Sequence, residues 1–213
     1  MSRRNYGQHC GTAAALDAIG DRWTLLIVRD LLLGPLRYTD LLNSLKGIGT
    51  DALADRLQRL QQLGAVTKRT HDPPYASTTY ELTERGELLA PAISALAEFG
   101  MALLDDPIET EARHYLGWAL LTIAARYAGD PMDAHFEFRT GQGTFHIELA
   151  GATAVARRGP APKPPDVVLE ADDALLIAGV LTGYVELDQL IENDMIHVEG
   201  TANAVKQIRR LFQ

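Results

Sequence analysis

The run GTDALADRLQRLQQLGAVTKRTHDPPYASTTYELTE, Gly49 to Glu84, decides how the chain is read. Its leucines Leu53, Leu57 and Leu60 recur at spacings of four and three, which puts all three on one stripe of a helix. Thr50 is placed to accept from the free backbone N–H groups of the first turn, and Gly64 stands where helices commonly stop in a left-handed conformation. Ala65 to Thr70 is β-prone, Asp72-Pro73-Pro74 forms a turn, and Thr78 to Leu82 returns as a second strand.

Upstream, three further helices are expected. Ala13, Ala14, Ala15, Leu16 and Ile19 favour a short one from about His9 to Ile19, broken by Gly20-Asp21. Trp23, Leu26, Ile27, Leu31 and Leu33 make the next apolar over a wide face, and Gly34-Pro35 ends it because proline does not continue a helix. Tyr38 to Leu45 reads as a two-turn helix, and Gly47-Ile48-Gly49 turns the chain into the leucine-striped one. Two short helices joined by a glycine turn are a helix-turn-helix, and the strand pair that follows adds a wing. Downstream, Thr83-Glu84-Arg85-Gly86 opens a long helix. Its Leu89, Ile93, Leu96 and Leu103 form a seam that suits a partner helix across a dimer or, alternatively, caps its own domain.

Pro107, after Asp105-Asp106, is a hinge between residues 1–106 and 107–213. Leu116, Leu120, Ile123 and Tyr127 then mark one more amphipathic helix, after which the apolar period changes to two. Phe136 and Phe138, then Phe145, Ile147 and Leu149, then Val155, and later Val167 and Leu169 alternate with polar residues as strands of one sheet. Gly141-Gln142-Gly143 is a hairpin turn, and the proline-rich run from Gly159 to Pro165 is a stiff extended loop. Asp172-Asp173 opens a helix through Leu175, Leu176, Val180 and Leu181, and Leu187 to Asn193 is another. A last strand, Met195 to Gly200, precedes a helix with Val205, Ile208, Leu211 and Phe212. The fold class is α+β: a winged helix-turn-helix domain, then an α+β domain.

Charge is divided along the same line. Residues 1–104 hold 11 basic and 11 acidic side chains, so the remainder, with 9 and 17, carries the whole net charge of −8. The acidic half repels nucleic acid and the neutral half need not; from Arg37 to Arg69 the basic residues exceed the acidic by three. With no run of 18 apolar residues and no signal-peptide core, the protein is expected in the cytoplasm and not in a membrane. A single cysteine excludes an internal disulfide framework. The six histidines, His9, His71, His114, His135, His146 and His197, lack metal-ligand spacing, and no P-loop, nucleophile elbow or dinucleotide fingerprint is present. No metal, cofactor or enzymatic activity is expected.

The run ALDAIGDRWTLLIVRDLLLGPLRY at 15–38, with LADRLQRLQQLG at 53–64 and YELTERG at 80–86, resembles three ordered blocks of the HxlR family of bacterial transcription regulators. The resemblance covers roughly residues 8–104 and implies a homodimeric winged helix on an operator with two-fold related half-sites. The run from Pro165 through Asp172-Asp173, Gly183 and Ile196-His197-Val198-Glu199-Gly200 to Ala204 looks like the end of a sterol carrier protein type 2 domain, with looser motifs. That likeness covers roughly residues 110–213 and implies a layer enclosing an apolar tunnel for lipid-like molecules.

Opposite the leucine stripe, the helix face is centred on Asp51, Asp55, Gln58 and Gln62, with Arg56 and Arg59 to one side. Carboxylates repel phosphates, although an aspartate accepts from a cytosine amine and a glutamine pairs with adenine. Asp51 is read as favouring the helix N-terminus. The candidates for DNA binding are Arg37, Thr50, Gln58, Arg59, Lys68 and Arg69, with Arg37, Arg59, Lys68 and Arg69 supplying phosphate contacts around a polar reading face. The wing tip, Asp72-Pro73-Pro74-Tyr75, has no basic residue, which argues against deep minor-groove insertion. Trp118, Phe136, Phe138, Leu176, Val180 and Ile196 are the candidates for lining an effector site, with no polar anchor singled out; the alternative is a closed core that only holds the dimer together.

Cys10 opens the first helix, where the dipole lowers a thiol pKa, and some members of the resembled family use an N-terminal cysteine at this place as a thiol sensor. The other reading of Cys10 is a small buried hydrophobe. Together these residues describe a homodimeric transcription regulator, a repressor, that binds an operator duplex and takes a small apolar effector. The alternative is a lipid-binding or carrier protein whose winged helix mediates protein contacts.

Overall fold

The computed structural model describes residues 5–72, 76–101, 103, 116–127, 131–181, 183–201, 204 and 208. The chain packs as two compact units, Met1–Ile93 and Ser94–Gln213. The hinge at Pro107, Asp105-Asp106, His114, the wing-tip residues Pro73, Pro74 and Tyr75, and Val205, Leu211 and Phe212 lie outside the described residues.

In the first unit the helices are α1 (Gly11–Ile19), α2 (Thr24–Leu32), α3 (Tyr38–Ser44) and α4 (Thr50–Gln62). Strand β1 (Leu36–Arg37) precedes α3, and β2 (Val66–His71) and β3 (Ser77–Leu82) form the wing. The antiparallel order is β1-β3-β2, so β1 is a short third strand that alternation over two residues could not reveal. Leu53, Leu57 and Leu60 are each at most 1% exposed and, like Ile27, Leu31, Leu33 and Leu41, belong to the buried core of the first unit. Burying each such leucine contributes roughly 1.5–3 kcal/mol. The cap of α4 is Gly49 rather than Thr50, which is the helix's first residue. Gly64 does end the helix with φ +67°, and the Ala65 N–H reaches back to the Leu60 carbonyl at 2.9 Å.

Instead of one long helix after the wing there are two, α5 (Glu84–Glu87) and α6 (Ala90–Met101). Pro91 explains the break: it offers no N–H to the carbonyl four residues back and its ring clashes there, so a helix starts near it but does not run through it. The seam shifts as well. Ile93 turns inward at 9% exposure, while Leu96, Phe99 and Leu103 stay 51%, 70% and 67% exposed at spacings of three and four.

The second unit has helices α7 (Leu116–Arg126), α8 (Ala174–Leu181) and α9 (Leu187–Glu192) with strands β4 (Ala134–Thr140), β5 (Gly143–Ala150), β6 (Thr153–Arg158), β7 (Val167–Ala171) and β8 (His197–Gly200). The sheet order is β6-β5-β4-β7-β8; β4 and β7 are parallel and the other pairs antiparallel. Phe136, Phe138, Phe145, Ile147, Leu149, Val167 and Leu169 occupy one face and are essentially inaccessible. Helix α7 packs along β6 and β5 and against α8, and α8 packs on β7. Val155, grouped with the inward residues by alternation, faces the other way: Ala156 is the partner of Ile147, whereas Val155 opposes Glu148 and is 39% exposed.

That second face carries His135, Glu137 and His146, all buried. The proline-rich run covers part of it: the Ala161 N–H donates to Glu137 Oε2 at 2.9 Å, and His146 Nδ1 lies 2.9 Å from the Gly159 carbonyl oxygen. Arg139 Nη2 lies 2.8 Å from the other Glu137 oxygen, so the buried carboxylate is paired as burial demands. Ala204 and Ile208 are helical and buried. No helix among the described residues is long and apolar enough to cross a membrane.

At the junction of wing and α5, a Cβ on Gly86 would stand 2.1 Å from the Ala65 carbonyl oxygen. Gly86→Ala is expected to lower the stability of the first unit by about 1–3 kcal/mol, the usual cost of overpacking. An unchanged denaturant midpoint would show that the junction yields.

Candidate nucleic-acid interface

The helix-turn-helix is held in shape by polar bonds between its members. Asp30 of α2 is 1% exposed and accepts from Ser44 Oγ at the end of α3, at 2.5 Å. Its other oxygen lies 3.0 Å from Arg29 Nη2, and burial pushes the Arg29 guanidinium below its ordinary pKa against the pull of Asp30. At the front of α3, Asp40 Oδ2 accepts the Arg37 backbone N–H at 3.1 Å, which satisfies one of the helix's free donors. The Tyr38 hydroxyl donates to the Thr50 carbonyl at 2.7 Å, tying the start of α3 to the start of α4.

On α4, Thr50, Asp51, Ala54, Asp55, Gln58, Gln61 and Gln62 are exposed. Thr50 and Gln58 therefore present their side chains on one accessible surface, with Asp51 in the first turn where the helix N-terminus favours an acid. Arg59 is placed differently from the expectation. Its guanidinium bonds Asp21, in the link between α1 and α2, and Arg56 Nε lies 3.5 Å from the same carboxylate while its Nη1 bonds Asp55. The two arginines are half-buried and face two carboxylates, so this flank of α4 is neutral. Asp21 was not legible as a partner, because it lies 38 residues from Arg59 in sequence.

The wing separates its two cations. Residues directly opposed in an antiparallel sheet share a face, and Thr79 opposes both Arg37 on β1 and Arg69 on β2. Arg37 and Arg69 thus stand in one row, two strand spacings or about 10 Å apart. Arg69 is exposed but its Nε lies 3.1 Å from Glu81 Oε1. Lys68 opposes Tyr80, in the row of Leu36, on the other face. Among the described residues, Arg37 and Lys68 are the expected cationic contacts that no ion pair engages, and both are exposed.

This arrangement of helices and wing coincides with the span of a family model, the HxlR-like helix-turn-helix, which matches residues 18–107. The chain belongs to the HxlR-like helix-turn-helix family. It is 30% identical over 96 residues to an HTH-type transcriptional regulator of Escherichia coli K12, YtfH, covering 44% of this chain and 75% of that protein. It is 36% identical over 107 residues to an uncharacterized HTH-type transcriptional regulator of Mycobacterium tuberculosis, covering 50% of this chain and 66% of the relative's length. A crystal structure from Porphyromonas gingivalis W83, described as a MarR-family transcriptional regulator, is similar with a TM-score of 0.44 and 29% identity, over 48% of this chain and 100% of that one.

The remaining candidates of the HxlR-like chain fall elsewhere. In the second unit, Phe136 and Phe138 are inaccessible, Val180 and Ile196 are 9% and 4% exposed, and Trp118 and Leu176 are half-buried. Among the described residues no group of three or more His, Cys, Asp or Glu is placed to hold a metal. Cys10 is exposed, which overturns the reading of it as a buried hydrophobe. The Ala13 backbone N–H and then that of Thr12 favour its thiolate and hold the thiol below its ordinary pKa. Because the lowered pKa populates thiolate at lower pH, the alkylation rate of Cys10 should reach half its maximum at a pH below that of a free cysteine peptide. Iodoacetamide kinetics against pH check this, and coincident midpoints would remove the basis for special reactivity.

Proposed function

We propose that this chain is a homodimeric, sequence-specific DNA-binding repressor whose second unit takes a small apolar effector. The observation that carries the DNA reading is the exposed polar surface of α4, set beside an antiparallel wing in a chain of the HxlR-like family. Thr50 and Gln58 serve base edges, while Arg37 and Lys68 are the phosphate ligands best placed by their exposure and lack of ion pairs. Arg59 and Arg69 are engaged by Asp21 and Glu81, and they join the phosphate ligands only where those carboxylates release their guanidinium groups.

Support for a dimer comes from Leu96, Phe99 and Leu103, which are each more than half exposed and recur at spacings of three and four on α6 and just past its end as one apolar stripe. For an apolar ligand, the support is the mainly apolar face of the five-stranded sheet under α7 and α8, together with the sterol-carrier-like motifs of the same stretch. Trp118 and Leu176, half-buried on the two covering helices, are the side chains that border such a ligand; Phe136, Phe138, Val180 and Ile196 form its walls. A second reading, thiol-dependent control of the same DNA contact, is favoured by the exposed and acidified Cys10.

Fluorescence anisotropy with the DNA upstream of its own gene is expected to show binding whose log K falls with log salt by about 0.9 for each phosphate contact. Absence of salt-sensitive, sequence-selective binding would sink the DNA reading. Native mass spectrometry of the intact protein should give a dimer and an additional small apolar ligand mass. Phe99→Glu should shift the distribution to monomer, and a dimer that survives this charge would place the interface elsewhere.

A further inference from the structure

A single carboxylate lies against both arginines of α4. Asp21 sits in the short link between α1 and α2, where its carbonyl accepts the Thr24 N–H at 3.2 Å as α2 begins. Its Oδ2 bonds Arg59 Nη1 and lies 3.5 Å from Arg56 Nε. The other end of the Arg56 guanidinium bonds Asp55 on the same helix. Side-chain exposures are 39% for Asp21, 21% for Arg56 and 35% for Arg59, so the cluster sits at the edge of solvent and is open to rearrangement. On the helical wheel Arg56 and Arg59 flank the exposed face that carries Asp51, Asp55, Gln58 and Gln62. A guanidinium on that flank, once released, reaches toward anything bound to the face.

We propose that Asp21 is a specificity-determining residue that restrains the DNA-backbone affinity of α4 by engaging Arg56 and Arg59. This rests on the DNA-binding reading above. Phosphate contacts add affinity for every duplex alike, whereas base contacts separate one sequence from another. Two more free arginines on the recognition helix would strengthen binding to unrelated DNA as much as to the operator. With Asp21 holding them, the polar residues Thr50 and Gln58 dominate what the helix distinguishes. Glu81 stands in the same relation to Arg69 on the wing, through one pair at 3.1 Å. Asp21 differs in meeting two cations, and in belonging to a segment outside the helix-turn-helix that it restrains.

The test uses the full chain, the duplex from upstream of its own gene and an unrelated duplex of equal length. Asp21→Asn keeps the side-chain size and removes the charge. It is expected to bind both duplexes about tenfold more tightly near 0.1 M salt, and to steepen the salt slope by about 0.9 per released arginine, up to about 1.8. Adding Arg56→Gln and Arg59→Gln to that variant should return the slope to the wild-type value. In the wild-type background the same two substitutions should leave the slope unchanged, a result that does not need Asp21→Asn to fold. An unchanged or shallower slope for folded Asp21→Asn overturns the proposal, as does a shallower slope for Arg56→Gln/Arg59→Gln, since Asp21 would then be orienting the arginines toward phosphate. Wild-type protein that binds no duplex overturns the DNA reading itself, and this proposal with it.

Discussion

The close approach of Gly86 to the Ala65 carbonyl fixes the geometry of the first unit. Ala65 is the corner at which α4 ends and β2 begins, and its carbonyl also accepts the Thr83 N–H at 3.0 Å. The Thr83 hydroxyl donates to the Gly64 carbonyl at 2.6 Å and accepts the Gly86 N–H at 3.2 Å. Four backbone groups and one hydroxyl therefore join the end of the recognition helix to the start of α5, with β3 clamped between them. No residue with a side chain fits at position 86 without moving that corner. The angle between helix and wing follows from this junction together with the leucine stripe beneath α4.

On that frame, electrostatics decides which charges face outward. Asp21 and Asp55 take up Arg56 and Arg59, Glu81 takes up Arg69, and Asp30 takes up Arg29. A count of basic against acidic residues treats these as independent charges, but exposed pairs contribute little to stability while still lowering the field that a phosphate would meet. The exposed Leu96, Phe99 and Leu103 fit the dimer proposed above, which would double the contacts without adding charge to either helix.

In the second unit the sheet has one mainly apolar face, which is shielded, and one polar face, which is shielded in part. The apolar face needs the helices α7 and α8, as area considerations require. Around Glu137 and His146 the polar face is covered by the proline-rich run. Glu137 and His146 take backbone partners from the proline-rich run, whose fixed φ angles reduce the entropy lost when it is laid down.

Local signals were legible in the sequence. Leucine spacing, glycine and proline punctuation and the change of apolar period gave the helices, the wing and the strands, because each rests on neighbours within one turn or one pleat. The two-residue β1, the break before α6 and the inverted facing of Val155 were not, since they depend on a partner strand, a ring clash and a register. For the interface, the sequence by itself determined the polar character of α4 and the acid at its first turn. Tertiary structure decided that Arg59 and Arg56 answer to Asp21 and that Arg69 and Lys68 part to opposite faces. The physical reason is the same in each case: periodicity is set by the chain's own geometry, whereas an ion pair spanning 38 residues exists only after the chain has folded.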